Sequence, residues 1–151
     1  SLPDIFLLTL INRAFSIHGH HPEEIGGISA QAANISRNIN IDRAAAETVN
    51  KSKLAGKSVC AVGTTSMRAI ETAVSAESLL KAAEGWTNLF VYPPFDFHIA
   101  NSMITNFHLP KSSLLIMVCA FGGHELVMEA YEQATKEKYR FFSYGDAMII
   151  L

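Results

Sequence analysis

Apolar residues recur along this chain in short blocks, and the spacing within the blocks changes from helical to strand-like as the chain proceeds. Ile5, Leu8, Ile11 and Phe15 fall on one face at helical spacing, which predicts a helix over 4–15. His18 to Gly27 reads as loop. Asn34 to Asn40 is mostly polar, with only Ile35 and Ile39 as helical-spacing contacts. From Asp42 the signals sharpen. Asp42 is a good N-cap for an alanine-rich helix from Arg43 to about Leu54, which Gly56 ends. Ser58 to Val62 predicts a buried strand, Gly63-Thr64-Thr65 a tight turn, and Ser66 to about Val74 a second helix.

Leu89 to Tyr92 predicts another buried strand, stopped by Pro93-Pro94, and Phe95, Phe97 and Ile99 alternate as an exposed-edge strand would. Apolar character continues from Ser102 to Thr105. Ser112 or Ser113 caps a buried helix running to about Phe121, Gly122-Gly123 breaks it, and His124 to about Lys138 is amphipathic with Val127, Ala130 and Tyr131 inward. The purely apolar run from Met148 to Leu151 predicts a buried final strand, which places Tyr144, Gly145 and Asp146 at its mouth. Helices alternating with short strands from residue 42 onward predict an α/β fold, a layered sheet with flanking helices and at least partly parallel pairing.

A length of 151 residues is enough for about one domain, and 49% hydrophobic against 17% charged residues argues against disorder. The net charge of -2 supplies no basic field for nucleic acid. Lys136, Lys138 and Arg140, with Lys111, form a local cluster read as a solvated helix end. Cys60 and Cys119 sit inside apolar runs and are expected to be buried, reduced thiols. Leu114 to Phe121 is too short to cross a bilayer, and Ile5 to Ile11 follows Asp4 rather than a basic segment, so neither a membrane span nor a signal peptide is expected. A soluble, cytoplasmic protein is the expectation.

Candidate chemistry gathers at three junctions. At Gly63-Thr64-Thr65-Ser66-Met67-Arg68 a strand turns into a helix, offering backbone N–H groups and hydroxyls to an anion. Arg68 in the first turn meets the positive end of the helix dipole, an unfavourable placement that an anionic partner offsets; a solvent-facing Arg68 is the alternative. At Thr105-Asn106-Phe107-His108-Leu109-Pro110, Asn106 and His108 project to the same side if the strand persists, either to orient a substrate and move a proton or to tie down a loop. At Gly145-Asp146, the carboxylate is a general base, a ribose-hydroxyl acceptor or a turn residue. His18, His20 and His21 with Glu23 and Glu24 are too tightly spaced for a preorganised tetrahedral metal site. No metal is expected.

Taken in order, these three junctions, with Tyr139-Arg140-Phe141 leading into Tyr144-Gly145-Asp146-Ala147 and with Gly85-Trp86-Thr87 and Ala120-Phe121-Gly122-Gly123 between them, closely resemble the C-terminal part of the S-adenosylmethionine:tRNA ribosyltransferase-isomerase family of queuosine biosynthesis. The resemblance covers roughly residues 42–151, leaving 1–41 as a poorly matched N-terminal segment without the family's glycine-rich stretch. Pro94 replaces a common Gly, and His124 a larger basic or aromatic residue. Members are more than twice this length, so the resemblance implies a C-terminal piece of a larger α/β domain.

It also implies transfer and isomerisation of the ribosyl group of S-adenosylmethionine onto the 7-aminomethyl-7-deazaguanine base of a tRNA. Epoxyqueuosine-tRNA forms, and adenine and methionine are released. S-adenosylmethionine is then a consumed substrate, and no cofactor is implied. The implied roles give the anionic group to Arg68 and the amides of Gly63, Thr64 and Thr65, proton transfer to His108 or Asp146, the sugar to Asn106, and an apolar wall to Pro93, Phe95 and Tyr144. Without its covering domain, such a piece is expected to self-associate through exposed apolar surface. The competing expectation is a non-catalytic nucleotide- or RNA-binding α/β module.

Overall fold

The apolar run Ser58–Val62 forms the strand on which the main sheet is built. A computed structural model describes residues 5–8 (backbone only), 37–143 and 145–151. Its elements run β1 (Ile5–Leu8), β2 (Arg37–Ile41), α1 (Arg43–Leu54), β3 (Ser58–Val62), α2 (Thr64–Thr72), β4 (Ala83–Thr87), β5 (Ser102–Asn106), α3 (Ser113–Gly122), α4 (His124–Lys136) and β6 (Ala147–Ile150). The main sheet has the order β1-β3-β5-β6, and β2 and β4 form a separate two-stranded sheet. Pairing is parallel between β1 and β3 and between β3 and β5, then antiparallel between β5 and β6. The α/β class and its partly parallel pairing are as the alternation of elements predicts.

Local chemistry fixes the clearest elements. Asp42 caps α1 by accepting the Ala45 N–H at 2.7 Å, and such caps contribute about 1 kcal/mol. The Ser112 hydroxyl does the same for α3, accepting from Leu115 N–H at 3.2 Å. At the α3–α4 corner Gly123 has φ +81°, a conformation only glycine adopts freely, and the two helices meet at 117°. Core side chains with almost no exposure include Val59 and Met103 from the sheet and Met67, Ile70, Met117 and Val118 from the helices above it. Both cysteines are buried and free, and burial pushes the Cys119 thiol up from its ordinary pKa.

Several expectations are corrected. Ile5–Leu8 is a strand beside β3 and not the first turn of a helix, because a continuous apolar run satisfies either period; 9–15 lie outside the described residues. The polar stretch before Asp42 contains β2, whose Ile39 and Ile41 are buried while Asn38 and Asn40 are exposed. Leu89 to Tyr92 is irregular, and the strand nearby is β4, paired antiparallel with β2. Phe95, Phe97 and Ile99 form no edge strand either. Phe97 packs edge-on against Phe95 and Phe121, each at 4.8 Å, so the alternation reflects an aromatic cluster beneath the end of α3.

Further along, α2 begins at Thr64, two residues earlier than predicted, because Gly63 itself serves as N-cap. On α4 the inward positions are Val127, Tyr131 and Ala134, leaving Ala130 exposed. The last strand is an edge rather than core: Met148 and Ile150 pack inward, while Ile149 is 55% and Leu151 86% exposed. No single helix among the described residues is long and apolar enough to cross a membrane.

Candidate functional site

All three predicted junctions lie on one rim of the main sheet. The Gly63 N–H donates to the Ile104 carbonyl at 2.7 Å, tying the end of β3 to β5. Asn106 at the end of β5 stands opposite Ala147 at the start of β6. This rim is the carboxyl end of the parallel strands, where open α/β sheets bind ligands.

A cleft of about 250 Å³ opens here, between the N-termini of α2 and α3. Thr64, Thr65 and Arg68 line it from α2, Ser112 to Leu114 from α3, and Arg37 with Ile39 from β2. The α2 terminus has no side-chain cap, so its first-turn N–H groups are unspent. Arg68 is 5% exposed, and its Nε has no hydrogen-bond partner. Among the described residues, no carboxylate pairs with it. Burial, and then the charge of Arg37, lower the Arg68 pKa from its ordinary value. A desolvated guanidinium facing a second cation at a positive helix end is an electrostatic conflict, which a bound anion resolves.

Glu71 lies one turn further along α2, but its carboxylate serves elsewhere. Oε2 accepts from the His98 N–H at 2.9 Å, and Oε1 accepts from Ile99 and Ala100 at 2.9 and 3.2 Å. The buried carboxylate thus shapes the segment entering β5.

His108 and Asp146 do not line the cleft with Arg68, so the predicted trio is not gathered in one cavity. The His108 Nε2 lies 2.8 Å from the Thr105 hydroxyl, and its backbone N–H donates to the Tyr131 hydroxyl at 2.8 Å. Burial lowers the imidazole's pKa, favouring the neutral ring. The group therefore contributes stability that is fully present above its unfolded pKa near 6.5 and lost as pH falls through the lower folded value. His108→Gln is expected to flatten the acid side of the stability profile below that pH. Urea midpoints measured from neutral pH downward check this, and an unchanged slope refutes it.

Asp146 is engaged by Arg140. Oδ1 accepts from the Arg140 Nη2 at 2.9 Å, and Oδ2 accepts from the Arg140 backbone N–H at 2.8 Å. Those bonds hold its carboxyl below the usual range. The Asp146 N–H returns to the Arg140 carbonyl at 2.8 Å, closing a loop that brings Gly145 and Asp146 back to Arg140. Gly145 is required there, because an added Cβ would lie 2.2 Å from the Arg140 carbonyl oxygen. The Asn106 Nδ2 donates to the Asp146 carbonyl at 3.3 Å and pins this loop to β5. Tyr144 lies outside the described residues, as do His18, His20 and His21 with Glu23 and Glu24. Of the predicted apolar wall, neither Pro93 nor Phe95 lines the cleft.

Sequence reasoning missed Arg37, the α3 N-terminus as a cleft wall, and Glu71. The capping signal at Ser112 pointed to the second of these. Arg37 had no local signal.

These features define the class: an open α/β protein with a cleft at the carboxyl rim of its sheet, lined by two arginines and two helix N-termini. The chain belongs to the family described as Queuosine biosynthesis protein, which matches residues 28–150. It is 58% identical over 116 residues to the S-adenosylmethionine:tRNA ribosyltransferase-isomerase of Phocaeicola vulgatus, covering 77% of this chain and 33% of that protein. Against the protein of the same name from Parabacteroides distasonis, it is 63% identical over 105 residues, covering 70% and 30%. The crystal structure of S-adenosylmethionine tRNA ribosyltransferase from Thermotoga maritima matches with a TM-score of 0.66 at 44% identity, over 74% of this chain and 40% of that one. The chain spans about a third of the length of these curated relatives.

Proposed function

We propose that the protein acts in S-adenosylmethionine-dependent ribosyl transfer and isomerisation on the 7-aminomethyl-7-deazaguanine base of tRNA, giving epoxyqueuosine-tRNA, adenine and methionine. The observation that carries this reading, beside family membership, is the buried and unpartnered Arg68 at a rim built to receive an anion. Both substrates present anionic groups, a carboxylate on one and phosphates on the other. S-adenosylmethionine is consumed, so the reaction needs no resident cofactor, and its tRNA substrate places it in the cytoplasm.

The sulfonium acidifies the adjacent ribose carbon, so the chemistry needs a base, a proton donor for departing adenine and a hold on the sugar. His108 suits proton transfer best, because its neutral imidazole makes no ion pair among the described residues. Asp146 is a weaker base, since Arg140 occupies both carboxylate oxygens. In this reading Asp146 holds the loop at the entry to β6. Asn106 spends its amide N–H on that loop, leaving its carbonyl oxygen for a ribose hydroxyl.

The test is release of adenine from S-adenosylmethionine when the protein is incubated with tRNA bearing the precursor base. Adenine in step with epoxyqueuosine is the expected result. Adenine-free reactions at high protein concentration would refute the activity for this chain.

A further inference from the structure

We propose that the cleft between α2 and α3 seats a phosphate of the RNA backbone, and that the amino-acid end of S-adenosylmethionine binds outside it. The ribosyltransferase reading above supplies the identity of the RNA. Ile39 and Leu114 give the cleft apolar walls, and the polar side chains described around it are all hydroxyls or guanidinium groups. α2 and α3, of 9 and 10 residues, both open on it by their N-termini, so two positive dipole ends meet there; α2 has no side-chain cap, while α3 spends its Leu115 N–H on Ser112. Arg68 from α2 and Arg37 from β2 add two guanidinium groups, and the Arg68 Nε, buried without a partner, is the polar atom most in need of an acceptor. No Asp or Glu is among the described residues that line it.

That last point separates the two substrates. The amino-acid end of S-adenosylmethionine carries an ammonium next to its carboxylate, with a sulfonium further along. Placing its carboxylate here would bring the ammonium against two arginines with no acidic side chain to receive it. A phosphodiester brings one negative charge and no cation, and its two free oxygens accept from N–H, hydroxyl and guanidinium donors alike. Size agrees: about 250 Å³ is below the roughly 300–1,000 Å³ of pockets that enclose whole small molecules. Arg37 is exposed, so the cleft reaches the surface, as a chain continuing on both sides of the bound phosphate requires.

The test is binding of tRNA bearing the precursor base to this chain across a salt series, with Arg68→Met and Arg37→Ala beside the parent. At low salt Arg68→Met is expected to lower RNA affinity about 100-fold and the exposed Arg37→Ala about tenfold, and each should reduce the slope of log affinity against log salt by roughly 0.7–0.9. This loss should exceed any loss of S-adenosylmethionine affinity measured by calorimetry. Unchanged RNA affinity and slope, no RNA binding, or a larger loss for S-adenosylmethionine overturns the proposal. Inorganic phosphate offers the same chemistry. Arg68-dependent binding of inorganic phosphate, with RNA affinity equal in all three proteins, also overturns it. Arg37 is at the surface, so Arg37→Ala keeps the test decisive should Arg68→Met fail to fold. Adenine release judges the ribosyltransferase reading separately. Its absence with an arginine-dependent RNA contact counts against that reading alone, and its presence with arginine-independent RNA binding counts against the phosphate site alone.

Discussion

Glu71→Ala is expected to destabilise the fold by about 3–5 kcal/mol, a large share of the ~5–15 kcal/mol that holds a domain of this kind together. The carboxylate side chain is fully buried and accepts three consecutive backbone N–H groups, those of His98, Ile99 and Ala100. Hydrogen bonds to a charged group contribute about 1.5–3 kcal/mol each, and removing the acceptor leaves buried donors facing an apolar void. Glu71→Gln should lose less, because one amide oxygen can still serve Ile99 and Ala100 while the NH₂ group opposes the His98 N–H. Urea unfolding of the two variants measures this. A loss below ~1 kcal/mol for the alanine variant would mean that water replaces the carboxylate freely. The effect should also reach the site, since this segment runs directly into β5 and β5 ends at the rim.

What could be read in advance follows from how local each cause is. α1 and α3 were legible because Asp42 and Ser112 cap them within their own first turns, and β3 because its apolar run is bounded by Gly56 and Gly63. β2 and β4 were not. Neither Arg-Asn-Ile-Asn-Ile nor Ala-Glu-Gly-Trp-Thr is a strong strand alone, and each is defined by the other through pairs such as Ile39 with Gly85. The segment from Leu89 to Ile99 misled for the opposite reason: it has strand-like composition, but the donors at its end go to a side-chain carboxylate rather than to a neighbouring strand.

The same distinction governs the site. Arg68 was legible as an arginine close behind the Gly63-Thr64-Thr65 turn, although the start of α2 at Thr64 puts it in the second turn of the helix rather than the first. Arg37 was hidden, because it reaches the cleft only through the pairing that sets it opposite Thr87. His108 and Asp146 were correctly placed on the rim from their strand ends. Their hydrogen-bond partners Thr105 and Arg140 lie three and six residues away along the chain, and neither His108 nor Asp146 lines the cleft.

Arg68→Met is expected to move stability and function in opposite directions, and this is the most discriminating outcome available. In the free protein Arg68 is a buried cation with no counter-charge among the described residues, next to Arg37 and near a positive helix end. Neutralising it should leave the fold intact, and Arg68→Met, which keeps the packed stem, should stabilise it by about 1 kcal/mol. With an anion bound, the same guanidinium becomes half of a desolvated charge pair. Deleting one member of such a pair costs about 2–5 kcal/mol, so catalytic efficiency should fall about 100-fold, carried by a raised KM for the substrate whose anion occupies the cleft. If that anion is the RNA phosphate, the KM for tRNA rises more than the KM for S-adenosylmethionine. A variant less stable than the parent would show instead that Arg68 is a structural group, and equal efficiency would remove it from the site. Sites that bind charge commonly hold such unresolved conflicts in the free state, because a side chain neutralised within the fold has nothing left to offer a ligand.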